Sequence, residues 1–395
     1  MPASDATEHH QTGLPARGTL PSADGQVGAS PTALPRAHGF ERVRLGLHPL
    51  LTCLLFCTGD WALLSALPLL KLSFSAEIWF PVLASVLVRL ALLVVLLGAA
   101  LLVRWRSGRM DRQPYPRLLP ALYLLTQLSL TLVQAYAYVV EPLWVETTEL
   151  SLRSAELDPS APTVRIVLLG DLHIERSSYR EAYVVRQVNA LGPDLIVLSG
   201  DYLNLSRLAD PVSAEHFRQF VGQLHAPYGI YAVRGSVEPS PAFMEELVND
   251  TPVVWLEQEA AMLDVRGQRI ALVGVACSHI RSLDAARFAQ AANSAPQDAF
   301  TVLLYHSPDL IAEASTRQVD LYLAGHTHGG QIRLPFYGAV VTGSVYGKRY
   351  EAGLFHRKGT TMYVTRGLGF EGGPMPRARF LSRPEVVSLD LGGQP

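Results

Sequence analysis

The stretch RIVLLGDLH, residues 165–173, runs an apolar strand into a glycine and then places an Asp and a His two residues apart. Side chains two apart at a strand end point the same way, so Asp171 and His173 can both ligate one ion. Working outward, LIVLS (195–199) and YGIYAV (228–233) read as further strands, and residues 178–191 and 214–225 as helices between them. FTVLLYH (300–306), DLYLAG (320–325), TMYVTRG and EVVSLDL continue the pattern. Strands alternating with amphipathic helices predict an α/β domain.

The chemistry gathers at the ends of those strands. Gly200-Asp201 follows the second strand, His306 ends a later one, and Gly325-His326-Thr327-His328 follows the next. In open α/β sheets the carboxyl ends of strands converge on the ligand crevice. Asp171, His173, Asp201, His306, His326 and His328 are therefore expected to share one region. Carboxylate with imidazole suits divalent ions of the Mn, Fe or Zn class. Taken singly, each motif is more often a turn Asp or a structural His; the weight lies in their shared placement.

These pieces together resemble the calcineurin-like metallophosphoesterases over about residues 141–392. GHTHGGQIRLP, YGKRYEAGL, YVTRGLG and RPEVVSLDL look like the membrane-associated bacterial subfamily. The resemblance implies a four-layer α/β/β/α sandwich with two divalent metal ions. Asp171, His173 and His328 would hold the first and Asp201 would bridge both. His306 and His326 would hold the second, joined by the Asn of a Gly-Asn-His motif. It further implies hydrolysis of a phosphate ester by attack of a metal-activated hydroxide, with the motif His assisting the leaving group.

One piece departs from that pattern. Where Gly-Asn-His-Asp/Glu is expected, this chain has Gly235-Ser236-Val237-Glu238. Ser236 is a shorter, poorer donor than Asn, so the second ion should be held more weakly. Val237 cannot transfer a proton, and general acid–base help of that kind is worth roughly 10²–10⁴-fold. Asn204 and His279 are the candidate substitutes, against readings as a turn Asn and a surface His. Retention of all six ligand positions favours a working metal site over a relic. His216 and His225 lie on a helix away from strand ends and are set aside.

The first 140 residues are of another kind. Residues 1–40, rich in Ala, Pro, Gly, Ser and Thr, are expected to be disordered. Three apolar runs follow, near Pro49–Leu70, Ile78–Val103 and Leu118–Val140, each near the roughly 20 residues that span a bilayer. They divide the chain into a disordered segment (1–40), a three-helix membrane domain (41–140) and the phosphoesterase domain (141–395). Arg36, Arg42 and Arg44 precede the first run, and Arg104, Arg106, Arg109, Arg112 and Arg117 crowd the second link. The first link has only Lys71, offset by Glu77. Positive residues stay cytoplasmic, so three spans put the domain outside, in a bacterial inner membrane. Asp60 and Arg89 sit inside the runs at matching depth and are expected to pair.

A net charge of −2 excludes a general nucleic-acid binder. The three cysteines form no disulfide framework. The expected partners are the lipid bilayer and a phosphate ester near it, with lipid-linked esters favoured by the spans. A UDP-linked sugar-lipid pyrophosphate would need a cytoplasmic site, against the three-span count. A catalytically impaired module that binds a metal or phosphate ligand is the competing reading, and a transport role for Asp60 and Arg89 ranks last. The loops near 174–180, 276–286 and 332–350 carry no readable code for the head group, and nothing in the sequence names a protein partner.

Overall fold

The computed structural model describes residues 38–69, 79–107, 118–296, 298–371 and 376–394. The segment 1–37 lies outside these, as do Lys71, Glu77, Arg109, Arg112 and Arg117, so the expectations resting on them concern residues not described. From Leu47 onward the chain forms one compact unit.

Among the described residues, helices α1 (His38–Ala66), α2 (Trp79–Arg106) and α3 (Leu118–Ala135) open the chain. A π turn, Tyr136–Val140, and a 3-10 turn, Glu141–Leu143, prolong the last one. Three segments, His48–Ala66, Trp79–Arg106 and Leu118–Leu143, are long and apolar enough to cross a membrane. The expected Asp60–Arg89 pair forms, but as part of a larger network. The guanidinium Nε and Nη2 donate to the Asp60 carboxylate at 2.6 and 2.9 Å. Its Nη1 reaches α3 at the Gln127 carbonyl (3.0 Å) and Oε1 (2.6 Å), and Nη2 reaches Thr131 Oγ1 (2.7 Å). Ser85 also donates to Asp60. Arg89 thus ties three helices together, which supports a structural role for the pair.

Beyond Leu143 the fold is two facing sheets flanked by helices. The first sheet runs β1 (Glu146–Ser154), β14 (Glu385–Gly393), β2 (Val164–Leu169), β3 (Leu195–Leu198), β4 (Ile230–Val233), β5 (Val253–Leu256). The second runs β12 (Gly353–Arg357), β13 (Thr360–Val364), β9 (Leu321–Ala324), β8 (Phe300–Tyr305), β7 (Gln268–Val275), β6 (Gln258–Val265). A hairpin, β10 (Arg333–Leu334) with β11 (Gly338–Ala339), stands apart. Strands β2 to β5 pair in parallel, as do β7 to β9, so their carboxyl ends align.

Period-2 alternation builds the layers. Ile166 and Leu168 of β2 face Leu272, Val302 and Leu323 of the second sheet. Val167 and Leu169 turn the other way, onto α4 (Tyr179–Leu191), α5 (Pro211–Val221) and α6 (Pro241–Val248). Leu303 and Tyr322 likewise meet α7 (Arg281–Ala292) and α8 (Ile311–Thr316) on the far side. The result is the expected α/β/β/α order. Strands buried on both faces are apolar throughout rather than alternating, as LIVL of β3 is. Both ends of α5 differ: the sequence predicts 214–225, but the helix runs Pro211–Val221 and leaves His225 beyond it. The Asp210 side chain accepts the Val212 N–H, and Pro211 stands at the first helical position, both helix-start devices.

The network of Arg89 makes a testable statement. Removing one member of a buried ion pair typically costs about 3–5 kcal/mol, whereas replacing both by apolar residues costs far less. Arg89→Ala should lower the unfolding midpoint of the purified protein sharply, and Asp60→Leu with Arg89→Leu should recover most of the loss. A double variant as unstable as the single one would show that the pair is not the source of the stability.

Candidate metal centre

Every sequence-predicted ligand sits just past the carboxyl end of a strand: Asp171 and His173 after β2, Asp201 after β3, His306 after β8, His326 and His328 after β9. The structure gathers them into two groups, Asp171–His173–His328 and Asp201–His306–His326, each with one ligand atom per residue lying within 4.8 Å of the others. Nε2 of His173 and Nε2 of His328 are 3.2 Å apart, and His306 Nε2 lies 3.1 Å from His326 Nδ1. Asp201 Oδ2 stands between the groups, 3.2 Å from His306 Nε2 and 3.7 Å from His173 Nε2. Ligands about 2.0–2.2 Å from a tetrahedral ion stand roughly 3.3–3.6 Å apart. The donor spacing and chemistry therefore fit two divalent ions sharing Asp201.

The backbone carries strain here. Five of the six candidate ligands have positive φ: Asp171 (50°), His173 (43°), Asp201 (56°), His326 (70°) and His328 (51°). Left-handed backbone costs an L-residue about 1–2 kcal/mol, and such strain collects at functional sites. Close approach holds the loops together: a Cβ on Gly235 would collide with the Asp201 backbone nitrogen and carboxylate. The His326 N–H donates to both Asp171 oxygens, at 2.9 and 3.1 Å. His306 Nδ1 lies 2.7 Å from the Ser199 carbonyl, which fixes a proton on Nδ1 and turns Nε2 toward Asp201.

Charge and burial pull against each other among these groups. Burial, with Asp201 nearby, pushes the Asp171 carboxyl up to about 7. Burial also raises Asp201, but His306, His173 and His326 outweigh it and hold that carboxyl well below its usual range. Burial lowers His306, yet Asp201 and Asp171 lift it well above the ordinary imidazole range. Burial and then His306 press His326 down to about 4, while burial lowers His173 and His328. Three neutral imidazoles thus offer lone pairs beside two carboxylates, and a cation there would replace the proton that His306 holds.

The RGSVEP loop clamps Asp201. Ser236 N and Val237 N donate to Asp201 Oδ1 at 2.6 and 3.0 Å, and Ser236 Oγ lies 3.0 Å from Oδ2. The Ser236 hydroxyl therefore gives its proton to the Asp201 carboxylate and keeps only lone pairs for an ion. Asn204 does not reach the centre. Its Oδ1 caps the Ser206 N–H (3.1 Å) and its Nδ2 donates to the Phe370 carbonyl (3.0 Å), so it is the turn residue of the alternative reading. His279 does approach: its Nε2 is 3.2 Å from the Ser236 carbonyl, and its ring lies 6.1 Å from that of His326.

Sequence reasoning missed Glu371 and gave Glu238, though it stands in the altered motif, no role. Glu371 Oε2 comes within 3.8 Å of His328 and 4.0 Å of His173, and it forms a third candidate group with His173 and Asp201. It lies in a loop past β13, where no strand end announces it. Glu238, the last member of the altered motif, is buried and accepts N–H bonds from Asp201 (3.2 Å), Tyr202 (2.8 Å) and Gly235 (2.8 Å). Burial and Asp201 push it up to about 7.

A four-layer sandwich with paired Asp/His groups at its strand ends could hold metal ions where its two sheets end. The calcineurin-like phosphoesterase profile matches residues 164–330. Phosphodiesterase YaeI of Escherichia coli is 30% identical over 271 residues, covering 65% of this chain and 92% of the relative. A transmembrane protein with metallophosphoesterase domain from Bos taurus is 30% identical, covering 79% and 73%. The UDP-2,3-diacylglucosamine pyrophosphatase LpxG of Chlamydia trachomatis is 25% identical, covering 65% and 92%. The chain belongs to the calcineurin-like phosphoesterase family and is a hydrolase acting on phosphoric ester bonds.

Glu238 joins two ligand loops, so its loss should be felt in stability. Glu238→Ala strands three buried donors and should cost about 3 kcal/mol. Glu238→Gln, which keeps an acceptor oxygen, should cost less than half as much. Unfolding curves of the two variants rank them; equal losses would show that the acceptor is not what matters.

Proposed function

We propose that this protein is a membrane-anchored, metal-dependent phosphoesterase that hydrolyses a lipid-linked phosphate ester. The carrying observation is the single Asp201 carboxylate lying between the two Asp/His groups. On this reading Asp171, His173 and His328 hold one ion and His306 and His326 the other, with Asp201 shared and Ser236 at the edge of the second site. Two divalent ions there supply Lewis-acid polarisation of a phosphoryl oxygen and a hydroxide at neutral pH.

The chain's own residues do the rest. Ser236 and Val237 hold Asp201 through their N–H groups, keeping its Oδ2 turned toward the imidazoles. On this reading His279, beside the Ser236 carbonyl and the His326 ring, delivers a proton to the leaving oxygen. Three spanning-length helices and the bovine transmembrane relative support the anchor. The diacylated substrate in the chlamydial relative's name supports an amphiphilic ester. The domain lies outside the cytoplasm of a bacterial inner membrane, following Arg104 and Arg106 at the end of α2. Residues 41–140 form the membrane part and 141–395 the catalytic part.

The second reading, an impaired module that only binds a metal or phosphate ligand, rests on Val237. It is buried and cannot move a proton.

Purified full-length protein should hold two metal ions per chain and turn over a phosphodiester or phosphomonoester with added Mn²⁺. Asp201→Ala should abolish that turnover, and His279→Ala should lower it by roughly 10²-fold if His279 is the acid. Ser236→Asn with Val237→His should raise it. One ion or none, with no turnover at high Mn²⁺, would favour the binding module. A reporter fused after Pro395 that signals from the cytoplasm would overturn the topology.

A further inference from the structure

The spanning helix enters the catalytic domain without a linker. The Arg379 N–H donates to the Ala137 carbonyl at 2.9 Å. The Phe380 ring packs edge-on against Tyr136, 6.0 Å between centroids. Leu381 N donates to the Glu141 carboxylate at 2.8 Å, Ser382 N donates to the same carboxylate, and Arg383 lies 3.5 Å over the Trp144 ring. Tyr136, Ala137 and Glu141 all belong to the spanning-length segment Leu118–Leu143.

The same loop is the root of the β10–β11 hairpin. Phe380 N donates to the Gln331 carbonyl at 3.0 Å, and Arg333 N donates to the Phe380 carbonyl at 2.9 Å. From this root the hairpin carries Leu334, Phe336, Tyr337, Val340 and Val341 into the open. Phe336 is fully exposed and has a φ of +63°, so an aromatic residue bears both a solvation and a backbone cost at one turn. A cluster of exposed apolar residues of this kind marks a binding surface. The Lys348 ammonium stands 3.4 Å from the Tyr337 ring centroid and donates to the Tyr337 carbonyl. Aromatic and basic residues side by side are the pattern of a membrane–water interface. Beyond the hairpin, Gly343 lies against the metal centre: a Cβ there would sit 3.1 Å from His326 Nε2.

We propose that the β10–β11 hairpin is an interfacial anchor that dips into the bilayer crossed by the three helices. It thereby holds the mouth of the metal centre at headgroup depth, where the phosphate of a membrane amphiphile lies. This rests on the membrane-anchored reading given above. The occupant is the lipid surface, because the hairpin is continuous with the loop that packs on the spanning helix.

The test uses the full chain reconstituted in phosphatidylglycerol–phosphatidylcholine vesicles, with and without brominated acyl chains. Phe336→Trp adds one emitter to the parent's five tryptophans, and the difference spectrum isolates it. Blue-shifted emission quenched by brominated lipid is expected. Unquenched emission overturns the proposal, and so does protection that depends on protein concentration, which would mean a second copy covers the hairpin. A second measurement separates the anchor from the chemistry. Phe336→Asp should lower turnover of a phosphate ester embedded in the vesicles about tenfold, from the lost burial of one aromatic ring. Turnover of water-soluble bis-p-nitrophenyl phosphate should hold. Equal loss on both esters, or no loss on either, overturns the role in substrate access. A parent protein that hydrolyses neither ester refutes the enzymatic reading instead, and the quenching result still decides the anchor.

Discussion

Asp201 is a carboxylate with no exposed surface, and the site is built around the need to satisfy it. Two backbone N–H groups and a hydroxyl from the RGSVEP loop converge on its oxygens. Imidazoles from two further loops stand 3.2 and 3.7 Å away. A buried carboxylate is costly unless so surrounded. Burial raises it and the imidazoles bring it down, so its ionised form is maintained by the same residues that face it as candidate ligands. Glu238 stands behind, tying the backbone of Asp201 to that of Gly235.

This dependence explains what the altered motif changes. Asn and His are absent, yet the loop's main task in the structure is done by backbone N–H groups, which any residue but Pro supplies. Gly235 is needed because its neighbour is the Asp201 carboxylate itself. Ser236 adds a short donor where space is tight, and Val237 fills a buried position. The scaffold around the Asp201 carboxylate is therefore indifferent to both substitutions.

The sequence disclosed those parts of the site that follow a strand. Asp171, His173, Asp201, His306, His326 and His328 each sit within a few residues of a short, continuously apolar run, a readable mark of a strand buried on both faces. Glu371 was hidden because it arrives by tertiary folding of a loop, seven residues beyond β13. Asn204 looked available because a one-dimensional reading cannot see that its amide is spent on Ser206 and Phe370. Within the three apolar helices, Asp60 and Arg89 stood out by charge. Gln127 and Thr131, which complete the network from α3, are uncharged residues in an apolar run and gave no comparable signal. The positive φ at five ligands was equally hidden, since none of them is glycine.

The helix-to-domain junction and the metal centre belong to one hydrogen-bonded chain. The Glu141 carboxylate at the end of the spanning-length segment accepts from Ser382 N, and Ser382 Oγ donates to the His328 carbonyl at 2.7 Å. Gln331, three residues after His328, pairs with Phe380 of the same loop. A candidate ligand is thus two bonds from the helix that carries the domain. A flexible tether would let the domain sample many distances from the apolar helices, whereas a junction of buried hydrogen bonds fixes one. Fixed depth is of little use to an enzyme of freely diffusing esters. It is of direct use where the scissile phosphate itself stays at a fixed depth, because the cost of bringing the two together is then already met in the fold.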